Sequence, residues 1–197
     1  GWFGFNGGSA LSAGSSAGMA LLVTHIAAAT ASLVWMGIEW FRFGRPSLVG
    51  IVTGMVAGLA TVTPASGFIG VSGGFILGIA GGLACYIAVD VLRVRMKIDD
   101  SLDVFAVHGV GGILGSLLVS WLALPSFGGV GLADGVSAIS QFGVQFLSVA
   151  ITVGWTIIAS AIILMMLNSS IGLRVDHQDE IEGLDPSQHG ERGYHNH

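Results

Sequence analysis

Residues 68–92 read FIGVSGGFILGIAGGLACYIAVDVL, and this stretch decides the medium in which the chain folds. Its one charged residue, Asp90, lies close to its end. A helix of about 20 mostly apolar residues crosses the hydrocarbon of a bilayer, so the stretch predicts a membrane span. The same reading holds outward at 17–38, 47–64 and 104–124. A fifth apolar run, 138–168, exceeds what a bilayer requires and predicts a tilted helix or one that leaves the hydrocarbon. Gly1 leads directly into Trp2, Phe3 and Phe5, so residues 1–8 read as a sixth, truncated span, and the chain is expected to start mid-protein. The expected fold is all-α, a polytopic transmembrane helical bundle.

Composition points the same way. Hydrophobic residues make up 52% of the chain, charged ones 10%, and mean hydropathy is +0.80, far from the values of a soluble domain. The 32 glycines sit inside apolar runs, where small residues let helix backbones approach closely, so they do not signal disorder. Cys85 is alone and cannot support a disulfide framework; it reads as core. The net charge of -5 is concentrated after Arg174, which describes a soluble tail and gives no ground for nucleic-acid binding.

The seven Lys and Arg residues fall in alternate connections: Arg42 and Arg45, then Arg93, Arg95 and Lys97, then Arg174 and Arg192. Positive charge is retained on the cytoplasmic side. The pattern therefore predicts a cytoplasmic tail, with the segments around 6–16, 64–68 and 124–137 outside. Glycines recur at four-residue spacing, as Gly50, Gly54 and Gly58, as Gly70, Gly74, Gly78 and Gly82, and as Gly111 and Gly115. Each set occupies one helix face and reads as close helix packing, with pore lining the alternative. No set is a phosphate loop, because none ends in Lys-Ser/Thr and no strand precedes it.

His108 is the most informative polar residue. It follows Asp103, a candidate N-cap, and stands inside an apolar span before Gly109, Gly111 and Gly112. An ionisable side chain in hydrocarbon is costly and marks either a substrate path or a hydrogen bond between helices; position alone leaves both open. His25 reads as packing among Ala and Thr. Trp2, Phe3, Phe5, Asn6 and Ser9 combine aromatic faces with a hydroxyl at the outer surface, which suits either an interfacial belt or a site for a small cation. Thr63 and Pro64 end a span. Asp90 is expected to pair locally with Arg93, and Asp99, Asp100 and Asp103 to complement a helix dipole. His195 and His197 read as a frayed solvated end rather than a metal site.

Five segments, GWFGFNGGSA (1–10), VTPASGFIGV (62–71), DDSLDVFAVHGVGG (99–112), GLRV (172–175) and EGLDPSQHGERGY (182–194), occur in this order. Together they resemble the ammonium transporter (Amt/MEP/Rh) family, in its microbial Amt branch. The resemblance implies a homotrimer of eleven-span protomers built from two inverted five-helix halves around a pore. On that expectation this chain is a fragment, the second half and the eleventh helix. Phe5 resembles a phenylalanine of the outer gate, Ser9 the hydroxyl of the outer ammonium site, Trp2 a neighbouring aromatic and His108 one of the paired pore histidines. Thr63 is placed with this pore set. The tail resembles the family's cytoplasmic segment, where PII-type signalling proteins dock, through Gly172, Asp185, His189, Gly190 and Tyr194. The expected domains are a membrane transporter domain, 1–170, and a regulatory tail, 171–197, in a protein of the plasma membrane.

The expected function is ammonium or ammonia transport through an apolar pore assisted by histidine. The alternative is a non-conducting ammonium sensor or interaction module acting through the tail. An intramembrane enzyme would need a second catalytic group near His108, and the sequence offers none nearby. No cofactor is expected.

Overall fold

The computed structural model describes residues 1–194. Its helices are α1 (Trp2–Gly8), α2 (Ser15–Phe43), α3 (Leu48–Val62), α4 (Val71–Val89), α5 (Val110–Leu122), α6 (Ala138–Ser170) and α7 (His177–Glu182). No strand occurs among the described residues. The chain divides into two compact units, residues 1–149 and 150–197.

Four helical stretches are long and apolar enough to cross a membrane: Ser15–Phe43, Val71–Arg95, Val104–Leu122 and Ala138–Ser170. The expected span at 47–64 is a shorter apolar helix, the 15 residues of α3. At about 1.5 Å per residue it falls short of the roughly 30 Å of a bilayer core. Pro64 explains the stop, since it has no N–H to continue the ladder. At its start, Ser47 Oγ accepts a hydrogen bond from the Gly50 N–H at 2.9 Å, an N-cap. α2 ends at Gly44, whose φ of 73° is open to glycine and costly for other residues.

In the first unit α2 packs on α3 and α4 through small residues. A Cβ on Gly58 would run into the Ala27 carbonyl, and one on Gly54 into the Trp35 side chain and the Ala31 carbonyl. Gly78 lies against Thr30 and Ala27, and Gly82 against Val34 and Ala31. Gly111 and Gly115 approach Thr61 of α3. The four-residue glycine rows are thus packing faces, and they hold helices close where lipid supplies no hydrophobic drive between them. Two buried clusters fill the unit: one includes Val23, Ala27, Val62, Leu77 and Val119, the other Trp35, Ala57, Cys85 and Val107.

In the first unit the loops that carry Lys and Arg gather at one end. Arg42 pairs with Asp90 at 3.4 Å, which joins the end of α2 to the end of α4. At the opposite end the Val130 N–H donates to the Phe68 carbonyl at 3.0 Å, and Ser72 Oγ to the Phe127 carbonyl at 2.6 Å. The expected Asp90–Arg93 pair is not formed. After Val89 the helix runs on through Asp90–Arg95 in wider π-type winding, where i and i+5 come together, so Asp90 meets Arg95 at 3.2 Å. Arg93 turns instead to Asp103 at 3.3 Å.

In the second unit the chain leaves α6 at Ser170 and turns at Gly172, φ 82°. Arg174 and Glu180 form an ion pair at 2.5 Å, and Gln188 Nε2 donates to Asp179 Oδ2 at 2.6 Å. These contacts order the tail around α7 and a turn at Asp185–His189. His195 and His197 lie outside the described residues.

Candidate functional site

Three residues far apart in sequence meet on one face of the first unit. The Trp2 indole Nε1–H donates to Thr63 Oγ1 at 2.7 Å. The Thr63 hydroxyl in turn donates to the Leu59 carbonyl, also at 2.7 Å, so its proton is committed and its oxygen is left to accept from the indole. Held in this way, the Trp2 ring stacks on the His108 imidazole, with ring centroids 5.9 Å apart and planes 14° apart. Phe5 meets Trp2 edge to face at 6.3 Å. Aromatic pairs prefer such offset and edge-on geometries.

His108 itself is exposed. Among the described residues its contact is the Trp2 ring rather than a hydrogen bond between helices. Both ring nitrogens therefore remain available to donate or accept. An indole face also attracts a cation, whether an imidazolium or a small ion nearby.

Ser9 caps the end of α1 and its hydroxyl donates to the Phe5 carbonyl at 2.8 Å. The oxygen lone pairs are left as acceptors, as a cation with N–H groups requires. Asn6 does not join this group. It is 3% exposed and its amide donates to Thr24 Oγ1 at 2.9 Å; consecutive positions on α1 lie about 100° apart, so Asn6 points inward while Phe5 points out. His25 differs from its expected packing role. It is exposed on α2 and lies against Phe3 at 5.9 Å, while the neighbouring Thr24 takes the buried place.

The segment carrying His108 is a wide π-type turn, Val104–Gly109, which leads into α5. Asp103 does not cap it. Its backbone is left-handed, φ 53°, and its carboxylate faces Arg93. The cap is Asp100: Oδ1 accepts from the Val104 N–H at 2.8 Å, and Oδ2 from Phe105 at 2.9 Å and Ala106 at 3.3 Å. Glu39 acts similarly across a loop, accepting from the Ser47 N–H at 2.7 Å before α3. The acidic run before this helix was expected to complement its dipole, but neither role follows the S/T-x-x-E spacing that marks a cap in sequence, so which acid caps, and the part of Glu39, were not legible there.

The tail residues lie in the second unit. Gly172 and Gly190 have φ of 82° and 66°, Asp185 and His189 bound one turn, and Tyr194 is 91% exposed. The Glu191 N–H donates to the Asp185 carbonyl at 3.0 Å and closes that turn.

Comparison with known proteins gives this geometry a lineage. Residues 1–194 match the Ammonium Transporter Family. The chain is 45% identical to ammonium transporter Amt1 of Archaeoglobus fulgidus over 98% of its own length and 49% of that protein. It is 43% identical to an ammonium transporter of Aquifex aeolicus, covering 98% of this chain and 45% of the relative. Among solved structures, one described as a sensor Amt protein superposes with a TM-score of 0.86 at 32% identity, over 95% of this chain and 45% of the other. Mep2 of Saccharomyces cerevisiae superposes with a TM-score of 0.79 at 34% identity, over 91% and 42%. The chain thus spans about half the length of the curated relatives it matches. With its apolar helices and this match along the described chain, it is a multi-pass membrane protein that belongs to the Ammonium Transporter Family.

Proposed function

We propose that this chain supplies one wall of a path for ammonium or ammonia, lined by Trp2, Phe5, Ser9, Thr63 and His108. The stack of His108 on Trp2 carries the reading: an imidazole with both nitrogens free is presented by an anchored aromatic at the edge of apolar helices. An ammonium ion is costly to desolvate in such a bore, whereas neutral ammonia is much less so. Aromatic faces and the Ser9 oxygen suit the cation at the entrance. A histidine within then hydrogen-bonds the neutral species or relays the proton. Family membership supports a transporter over an enzyme, and no feature of the site favours the sensor reading.

Residues 1–170 act in this proposal as the membrane domain and 171–197 as a cytoplasmic regulatory tail, in a plasma-membrane homotrimer. Gly172, Asp185, His189, Gly190 and Tyr194 belong to the surface that meets a PII-type protein. The ordered turn at Asp185–His189 supports a defined docking surface over a disordered acidic tail.

The test is His108→Ala in the full-length gene product, reconstituted in lipid vesicles. Ammonium flux, or its selectivity over potassium, changes while the assembled protein is recovered in the same amount. Transport identical to the parent would overturn the role of His108.

A further inference from the structure

We infer that Asp100 is a positioning residue for His108, and that its carboxylate sets the direction in which the imidazole faces. The inference rests on the transport reading above for its functional consequence, and on geometry for its mechanism.

A helix start leaves its first N–H groups without partners. Here one carboxylate takes three of them, those of Val104, Phe105 and Ala106, at 2.8, 2.9 and 3.3 Å. The fourth, of Val107, donates to the Asp103 carbonyl at 2.8 Å. Every amide before His108 in this turn is therefore fixed from one side. On the other side Cys85 Sγ lies 3.6 Å from the Val107 carbonyl and Ala106 and Val107 are buried, so the segment cannot slide.

The winding makes this matter. A π-type turn holds one residue more than an α-turn over the same stretch. Reversion to α winding would turn His108 by about 100° relative to α5, which is more than enough to lift it from Trp2. The negative charge is essential to the cap, because charge-assisted bonds to backbone N–H groups are stronger than neutral ones. An amide at the same place offers one acceptor oxygen and presents an NH₂ group to the remaining N–H donors. Asp99 and Asp103 cannot substitute: Asp99 accepts from Ser101 Oγ, and Asp103 faces Arg93.

The experiment is a double-mutant cycle in the full-length gene product, combined with a structure of the single variant. Asp100→Asn is expected to lower ammonium uptake at least tenfold per assembled protein. In the His108→Ala background the same substitution is expected to cause no further loss, because Asp100 acts through the imidazole. The structure of Asp100→Asn is expected to show the His108 ring displaced from Trp2. Asp103→Asn, which breaks the Arg93 pair and leaves the three N–H bonds intact, serves as the control and keeps uptake. An equal loss with and without His108 would show Asp100 to be merely structural and overturn the inference. So would an unmoved His108 in the variant structure. If the parent protein itself moves no ammonium, the transport reading falls alone, and the ring position in Asp100→Asn decides the positioning role. Should Asp100→Asn fail to assemble, Asp100→Ser retains one acceptor, and a His108 ring still stacked on Trp2 there would equally overturn the inference.

Discussion

Thr63 shows how much one hydroxyl can decide. It ends α3, yet its oxygen also anchors an indole 61 positions away in sequence, and through that ring it supports His108. Replacing Thr63 with Val keeps the shape and removes the acceptor. A hydrogen bond between membrane helices contributes about 1 kcal/mol, so the ratio of stacked to unstacked ring is expected to fall roughly fivefold. Uptake measured in vesicles should fall by up to that factor, and Thr63→Ser should restore it; if Val and Ser behave alike, the hydroxyl does not hold the ring. The contrast between Asn6 and Ser9 belongs to this scale too. Both are polar residues of one short segment, but Asn6 faces Thr24 from within α1, whereas Ser9 sits at the C-cap where the helix ends and stays at the surface.

Between elements, glycine rows set the spacing. A methyl group on Gly58 would meet the Ala27 carbonyl, a backbone atom that cannot move without its helix, whereas one on Gly37 would meet nothing within 4 Å. Gly58→Ala is therefore expected to cost about 1–3 kcal/mol through overpacking, read as a lower melting temperature of the purified protein. Gly37→Ala is expected to be neutral or slightly stabilising, since Ala favours the helix by about 1 kcal/mol over Gly. Equal melting temperatures for the two variants would show that the α2–α3 contact tolerates separation.

For the molecule as a whole, the first unit carries its basic loops at one end and, at the other, connections that hold no Lys or Arg. Arg42 and Asp90 join the basic end, and the Phe68–Val130 and Ser72–Phe127 bonds join the other. On the positive-inside rule the basic end is expected to face the cytoplasm. Cys85 is the only cysteine and is buried, so replacing it with Ala gives a clean background for labelling. In that background Ser101→Cys is expected to react with a membrane-impermeant maleimide only from the cytoplasmic side, and Ser126→Cys only from outside. The reverse pattern would invert the orientation.

The sequence alone determined the medium, the number of apolar runs and the ends that share a face, because span length and the sidedness of Arg and Lys are local properties that a bilayer reads directly. It also marked His108, Trp2 and Thr63 as separate residues of interest. Only the tertiary structure brought those three together, because the Trp2–Thr63 and Trp2–His108 contacts join segments whose separation leaves no periodic trace. The same holds for the acids. Position before a helix suggested Asp103 as the cap, but its left-handed backbone turns it toward Arg93 and leaves the amides to Asp100. Which of several neighbouring carboxylates meets a helix start depends on backbone angles at each residue, and these are set by the packing of the whole unit rather than by spacing.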